Sequence, residues 1–176
     1  MRNATRRRSG PTAADVMTHP VTTVSEDFPV EKLVGLIRRT RFSGYPVVGK
    51  GGKVSGIVSQ SDLLRGLARV LGPETESLFR EIEPDVGARL PVTARDGIKA
   101  SAVLIGLLAR PVKDLMTPRV ETCRPDTPLA AVCDTMHRRR IHRVVVVDRA
   151  GKVAGLLSTL DVVRWVGRDL RKAGGR

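Results

Sequence analysis

The sequence predicts an α/β (α+β) protein built from two β-α-β-β-α repeats that pack as a pseudo-two-fold pair. An internal duplication is the first observation: a shift of 99 positions aligns Asp15–Arg65 with Asp114–Arg164 without a gap, and 18 of the 51 residue pairs are identical. Each copy also alternates short β-branched runs with segments whose apolar residues recur at helical spacing. A unit of about fifty residues buries too little surface to be stable alone, so the two copies are expected to pack together.

The elements follow the same order in both copies. In the first copy, Val21–Val24 is predicted to be a short strand, and Pro29 marks a helix start because the first helical turn needs no N–H from that position. Tyr45–Val48 and Lys53–Val58 are predicted strands joined by a glycine-rich turn. A second helix is predicted from about Ser61 to Leu71, and the second copy repeats this order 99 positions later.

The repeats divide the chain into five segments. These are a basic disordered N-terminal arm (1–14), a first domain (15–71), a partly helical linker or insert (72–111), a second domain (112–170) and a basic C-terminal tail (171–176). Within the linker, Ile98–Leu108 is predicted to be a helix that ends before Pro111. A docking element or a lid is the alternative interpretation of the linker. The second domain is expected to end with a helix from about Thr159 to Leu170.

The formal net charge of +13 is concentrated at the two ends of the chain, with +4 in residues 1–14 and +4 in residues 164–176. Basic ends attract any polyanion through counterion release without recognising a sequence. Aromatic residues make up only 3% of the chain, and neither the interleaved aromatics of single-strand binders nor zinc-finger spacing occurs. Nucleic acid is therefore expected only in the alternative function, a structural or nucleic-acid-associated protein that uses its Arg-rich ends while its ligand clefts stay unoccupied.

Several classes of protein are excluded by what the sequence lacks. No apolar run reaches the ~18 residues of a membrane-spanning helix, and the Arg-rich start is not a secretory signal, so a cytoplasmic protein without a membrane partner is expected. No Ser-His-Asp order, His-Glu-x-x-His helix or Walker loop occurs, so no enzyme and no catalytic residue is predicted. Cys123 and Cys133 match neither a disulfide framework nor a zinc site, so they are expected to be core residues.

The repeated motifs resemble the cystathionine β-synthase (CBS) domain. They are Asp-Val-Met-Thr-His-Pro-Val at 15–21, Tyr-Pro-Val-Val at 45–48, Gly-Ile-Val-Ser-x-x-Asp at 56–62, Asp-Leu-Met-Thr-Pro at 114–118, His-Arg-Val-Val-Val-Val at 142–147 and Gly-Leu-Leu-Ser-x-x-Asp at 155–161. Two such domains in tandem resemble a Bateman module. The resemblance implies a non-catalytic regulatory protein that binds an adenosine-containing ligand in clefts between its repeats and signals occupancy by a conformational change.

The resemblance also implies the ligands and partners. AMP, ADP or ATP is the expected ligand, with S-adenosylmethionine and NAD as alternatives, and no cofactor is required. A homodimer formed through apolar helical faces is expected, together with a regulated protein partner whose identity the sequence does not give.

Four polar residues are candidate ligand contacts because each pair follows a strand and opens a helix. Ser59 and Asp62 form the first pair, and Ser158 and Asp161 form the second. An ionised aspartate is an acceptor only, so it can receive the hydroxyls of a ribose, whereas hydroxyl groups and helix N-termini favour phosphate oxygens. The alternative is that these residues only cap their helices, a role that is common for serine and aspartate.

By the resemblance, an apolar slot for adenine is expected before the second strand of each copy. The expected slot residues are Phe42, Ser43, Gly44 and Tyr45 in the first copy and Ile141, His142, Arg143 and Val144 in the second, with Ile57 and Leu156 as walls. Core packing is the alternative for Phe42, Tyr45 and Ile141. His142 and Arg143 either contact phosphate or remain solvated. Because they replace Ser43 and Gly44, the two sites are predicted to be unequal, so that one cleft prefers more phosphate than the other or stands empty.

Overall fold

The computed structural model describes residues 10–40, 42–71 and 104–174. The labelled helices and strands are α1 (Ala13–Val16), β1 (Val24–Ser25), α2 (Val30–Thr40), β2 (Gly44–Val48), β3 (Val54–Ser59), α3 (Gln60–Leu71), β4 (Thr117–Pro118), β5 (Thr122–Cys123), α4 (Leu129–Arg139), β6 (Arg143–Val147), β7 (Val153–Ser158) and α5 (Thr159–Gly174). Residues 104–108 are also helical, and short 3-10 helices occupy Lys50–Gly52 and Val112–Asp114.

The chain divides into two compact units. The repeat-1 unit takes Thr22–Gly51 and Ser55–Arg119, and the repeat-2 unit takes Met1–Val21, Gly52–Val54 and Val120–Arg176, each as far as the chain is described. Each unit therefore contains the body of one repeat and the first residues of the other. The Asp-x-Met-Thr motif that opens a repeat belongs to the unit formed by the other repeat.

A four-stranded sheet in the order β1-β2-β3-β4 forms the repeat-1 unit together with α2 and α3. Strands β1 and β2 are parallel, with Val24 opposite Val47, whereas β4 is antiparallel to β3, with Thr117 opposite Ile57. Residues 44–47 of β2 are all buried, as is typical of a central strand that is covered on both faces. The fully buried core side chains of this unit are Val24, Val30, Leu33, Tyr45, Val47, Val58 and Val112.

The repeat-2 unit contains a three-stranded sheet in the order β5-β6-β7, together with α1, α4 and α5. Strand β5 is parallel to β6, and β6 is antiparallel to β7. Thr18 forms an isolated antiparallel bridge with Leu156 of β7, at the position that β4 occupies in the other unit. The buried core side chains here are Ala13, Val16, Leu129, Val132, Met136, Val144, Val146 and Leu157.

The predicted mixed α/β class and the β-α-β-β-α order are confirmed, but several boundaries differ. The first strand is Val24–Ser25 and not Val21–Val24, and β3 is displaced by one residue from the predicted Lys53–Val58. Helix α5 continues past Leu170 to Gly174 because Arg171, Lys172 and Ala173 are good helix formers. Helix α1 includes two residues that the sequence assigned to the arm. It is stabilised by a capping box in which the N–H and hydroxyl of Thr12 each donate to Asp15 Oδ2 at 2.8 Å, which lowers the pKa of Asp15.

The remaining part of the predicted arm, residues 1–9, and most of the predicted linker, residues 72–103, lie outside the described residues. Of the predicted helix Ile98–Leu108, residues 104–108 are described, and they are helical. The chain then runs beside the start of α2, where the N–H groups of Val112 and Lys113 donate to the carbonyls of Phe28 and Glu26, both at 2.9 Å. This segment therefore brings β4 to the edge of the repeat-1 sheet.

Candidate functional site

In the repeat-1 unit, Ser59 and Asp62 meet at the junction between β3 and α3. Asp62 Oδ2 accepts hydrogen bonds from the N–H of Ser59 at 2.7 Å and from its hydroxyl at 2.6 Å. The carboxylate thus satisfies a donor at the start of the helix, as in a capping box. The capping role that the sequence left open is therefore present, and it fixes where the carboxylate lies.

Asp62 has two further partners. The hydroxyl of Thr117 donates to its Oδ1 at 3.0 Å, and the guanidinium of Arg65 forms an ion pair with the same oxygen. Asp62 is only 3% exposed, whereas the Arg65 side chain is 58% exposed. Because a carboxylate offers about four acceptor positions, this one is fully occupied by its own protein.

In the repeat-2 unit, Asp161 repeats the arrangement with one partner fewer. It accepts the N–H of Ser158 at 2.9 Å and the Ser158 hydroxyl, and its own N–H donates to Ser158 Oγ at 3.2 Å. The hydroxyl of Thr18 donates to Asp161 Oδ1 at 3.1 Å. Asp161 is partly exposed, and among the described residues it forms no ion pair with Arg164, the counterpart of Arg65. One of its four acceptor positions is therefore left for another donor.

Thr18 and Thr117 are site residues that the sequence reasoning missed. Both belong to the Asp-x-Met-Thr motif, which helped to identify the repeats but was given no role in the site. The available signal was the recurrence of a hydroxyl residue at equivalent positions of the two copies. Residue spacing could not identify the partner of either threonine, because each threonine donates a hydrogen bond to the aspartate of the other repeat.

Two glycines allow the threonine segments to approach the strands closely. A Cβ atom on Gly56 would lie 2.6 Å from Met116 Sδ and 2.9 Å from the backbone oxygen of Thr117. A Cβ atom on Gly155 would overlap Met17 Sδ and lie 3.2 Å from the oxygen of Thr18. The glycine of each Gly-x-x-Ser-x-x-Asp motif is thus required for the position of the hydroxyl that reaches the aspartate.

The predicted slot residues of the first copy divide into a buried and an exposed pair. Tyr45 is 1% exposed and its hydroxyl is hydrogen-bonded to Thr40, while Gly44 is also buried. Phe42 is half-exposed and makes an edge-to-face contact with Tyr45, with ring centroids 6.3 Å apart. Ser43 is exposed, and its carbonyl accepts the N–H of Gln60 at 3.2 Å, which places it beside the start of α3.

In the second copy, Ile141 and His142 line an apolar groove of about 520 Å³ between α4 and α5, whose other walls include Met136, Val162 and Val163. Arg143 lies directly opposite Ser158 in the β6–β7 ladder. The structure therefore places the backbone of Arg143 beside Ser158, whereas Val144 is buried in the core.

The two predicted wall residues, Ile57 and Leu156, are both partly buried. Ile57 is opposite Thr117, and Leu156 is opposite Val145 and bridged to Thr18. Each wall residue thus lies next to the threonine that reaches the aspartate of the same unit.

The cysteines pack as expected against the repeat-2 core, and burial raises the pKa of the Cys123 thiol to about 11. This thiol is therefore protonated at neutral pH and is not an activated nucleophile.

Within the described residues, no group of three or more His, Cys, Asp or Glu side chains could hold a metal ion. The same residues include no helix that is long and apolar enough to cross a membrane.

Comparison with known proteins agrees with this geometry. The family model of the CBS domain matches residues 13–69 and 112–168. An uncharacterized protein of Methanocaldococcus jannaschii, MJ1426, is 31% identical over 150 residues, which cover 85% of this chain and 87% of that protein.

Two solved structures with bound adenosine compounds share the fold. CBSX2 in complex with AMP is 24% identical, with a TM-score of 0.64 over 90% of this chain and 98% of that one. The CBS domain pair of MJ0100 in complex with 5'-methylthioadenosine and S-adenosyl-L-methionine is 19% identical, with a TM-score of 0.61 over 90% and 98% of the two chains. The chain belongs to the CBS domain family and carries two CBS domains in tandem.

Proposed function

We propose that this protein is a non-catalytic regulator that binds an adenosine-containing ligand and signals its occupancy through a conformational change. One observation carries the proposal: in each unit a serine, an aspartate and a threonine converge at the start of a helix. The clusters are Ser59, Asp62 and Thr117 in the repeat-1 unit, and Ser158, Asp161 and Thr18 in the repeat-2 unit.

The chemistry of these clusters suits a ribose. A carboxylate accepts the O–H groups of a sugar, and the nearby hydroxyls and helix N-terminus donate to oxygen atoms. AMP, 5'-methylthioadenosine and S-adenosyl-L-methionine, which are bound in the two related structures, share adenosine and not phosphate. We therefore propose that the ligand of this chain contains adenosine, and that it is AMP, ADP or ATP in the first instance.

We further propose that the Asp161 cluster is the stronger site. Asp161 has an unused acceptor position, whereas Asp62 would have to release Arg65 or Thr117 before it could accept a ribose hydroxyl. Arg143 also lies opposite Ser158, so a phosphate bound near this cluster has a guanidinium within its own unit. The serine and glycine at the equivalent positions of the first copy, Ser43 and Gly44, carry no charge.

The test is calorimetric titration of the full chain with AMP, ADP, ATP, S-adenosylmethionine and NAD, and with uridine monophosphate as a base control. We expect binding of at least one adenosine compound and weakening by roughly ten- to a hundredfold in Asp161→Asn, because a hydrogen bond to a charged acceptor is lost. Asp27→Asn is the matched control, since Asp27 is exposed and pairs with Lys113 and not with a residue of either cluster.

The outcomes separate the two proposals and the alternative function. If no adenosine compound binds, the ligand proposal is wrong, and salt-dependent DNA binding in the same sample would support the nucleic-acid alternative. If Asp62→Asn and Asp161→Asn lose affinity equally, the ranking of the clusters is wrong. Occupancy should also raise the melting temperature, since ligand at a hundred times its Kd adds about 2.7 kcal/mol to the stability.

A homodimer formed through α5 is proposed from the apolar face of this helix. Its members recur at helical spacing and are between 41% and 66% exposed: Leu160, Val163, Val166 and Leu170. Three of the equivalent positions on α3 offer less exposed apolar surface. Ser61 stands in place of Leu160, Leu64 is 44% exposed against 65% for Val163, and Leu67, the counterpart of Val166, is partly buried. Exposed apolar surface of this kind is typical of an interface, so α5 is the proposed contact.

Sedimentation velocity of the full chain tests the dimer. We expect a dimer at micromolar concentration and conversion to a monomer by Val163→Asp, because a buried carboxylate would face the apolar partner surface. Arg168→Asp introduces a carboxylate on the opposite face of α5 and should leave the dimer intact. A monomeric wild type, or equal dissociation of both variants, would disprove this interface.

A further inference from the structure

The repeat-2 unit contains a second groove, on the side of α4 that faces β5 and the β6–β7 turn. Its volume is about 670 Å³, and we call it the threonine groove because Thr122, Thr127 and Thr135 line it. None of Thr18, Ser158 and Asp161 contributes to its walls, and it shares no lining residue with the apolar groove between α4 and α5. Its size is in the range of small-molecule sites.

The duplicated sequence shows why this groove is open. At the equivalent positions of the first copy, Phe28 stands in place of Thr127, Leu36 in place of Thr135 and Tyr45 in place of Val144. In the repeat-1 unit, Phe28 and Leu36 pack against the core and Tyr45 is fully buried. Each replacement in the second copy removes side-chain volume beside α4. The groove thus results from these substitutions and not from the fold, which both copies share.

The groove is also more basic than its equivalent in the first copy. Arg124 replaces the neutral Ser25 and adds one positive charge, whereas Arg149 keeps the charge of Lys50; Lys53 contributes a third cation to the wall. Among the described residues that line the groove, none is an aspartate or a glutamate. Four carboxylates adjoin lining residues in the sequence without lining the groove themselves: Glu121, Asp126, Asp134 and Asp148. Glu121 forms an ion pair with Arg139 at 3.2 Å, and Asp148 accepts the N–H groups of Ala150 and Lys152, both at 2.9 Å.

Two of the groups in the wall are held in position to donate. Arg124 Nη1 donates to the carbonyls of Val147, at 3.4 Å, and Asp148, which fixes the guanidinium across the end of β6. Thr127 Oγ1 accepts the N–H of Arg124 at 2.9 Å, so the hydroxyl proton of Thr127 can still be donated. A guanidinium has five N–H donors, and it can grip the oxygens of a phosphate in a bidentate manner.

We propose that the threonine groove binds a small phosphate monoester, with the phosphate at Arg124, Arg149 and Thr127. The organic part of the ligand lies against Val132 and Val144, which form the apolar wall. This site is separate from the adenosine clusters. Its existence does not depend on the proposed function.

Phenyl phosphate is the probe, titrated into the 15N-labelled full chain at physiological salt and followed by NMR. We expect amide shifts confined to residues near Thr122, Thr127 and Gly151. Benzyl alcohol, which has the ring without the charge, should bind at least tenfold more weakly. Thr127→Phe places the residue of the first copy in the groove and should weaken phenyl phosphate at least tenfold, whereas Asp27→Asn, at an exposed position that does not line the groove, should leave its affinity unchanged.

Charge needs its own control because the whole chain is basic. Arg124→Ser, the residue of the first copy, should weaken binding at least fivefold, whereas Arg168→Ser removes the same charge from the exposed surface of α5, which contributes no residue to the groove, and should have no effect. Equal losses in these two variants, or shifts spread over the basic surface, would show nonspecific attraction and overturn the proposal. If Thr127→Phe does not fold, Thr135→Leu fills the groove from its other side, and unchanged affinity in that variant would also overturn it.

Discussion

Replacing Asp62 by alanine is expected to lower the free energy of unfolding by about 2–4 kcal/mol. The loss arises because α3 loses its N-terminal cap and because buried hydrogen-bond donors are left without an acceptor. The variant removes the acceptor for the Ser59 N–H, the Ser59 hydroxyl and the Thr117 hydroxyl at a position that is 3% exposed. It also releases Arg65. That ion pair adds little, because the guanidinium is more than half exposed and can be solvated.

The matched variant Asp161→Ala should cost only about 1 kcal/mol, the typical value for a cap. Asp161 is partly exposed, so water can reach the donors that the variant leaves behind. Urea unfolding of both variants measures the difference, provided that the m-values agree with the wild-type value. Similar losses at the two positions would contradict the assignment of the buried, fully occupied carboxylate to Asp62.

Replacing Gly56 by alanine is expected to destabilise the protein by about 1–3 kcal/mol, the usual cost of overpacking. The added Cβ would lie 2.9 Å from the backbone oxygen of Thr117, and this atom cannot move unless the pairing of β3 with β4 shifts. A shift there would also lengthen the hydrogen bond from Thr117 to Asp62. The variant should therefore disturb the site as well as the sheet.

Two other glycines provide graded controls in the same urea unfolding experiment. Gly155→Ala should cost less than Gly56→Ala, since its main overlap is with the flexible end of Met17 and the nearest backbone oxygen is 3.2 Å away. Gly106→Ala should not destabilise the protein, because nothing lies within 4 Å of the added atom and alanine is the better helix former. A different order of these three stabilities would refute the close-approach explanation.

The sequence predicted the parts of the fold that are determined locally. Helical periodicity in Val30–Thr40 and β-branched runs such as Val144–Val147 specify their own secondary structure, and the 99-residue duplication extended the prediction to the second copy. The ends of the helices were predicted less accurately than their positions in the chain. Helix α1 was not predicted, because its four residues are too few to show a period and depend on the cap at Thr12.

About half of the candidate site was predictable in the same way. Ser59 with Asp62, and Ser158 with Asp161, are three residues apart, so their contact follows from a strand that leads directly into a helix. Thr18 and Thr117 are 143 and 55 residues from the aspartates that they reach. No periodicity or spacing rule connects residues at such separations.

The sequence by itself determined that this chain has two CBS repeats and that each places a serine and an aspartate at a helix start, because both are consequences of short-range pattern. Only the tertiary structure decided which threonine completes each cluster, and which of the two carboxylates retains an acceptor position. It also decided that the second copy opens a groove beside α4 where the first copy is filled. The physical reason is that burial and hydrogen-bond occupancy depend on packing between segments that are distant in the chain, so side chains at equivalent positions of the duplication have different surroundings.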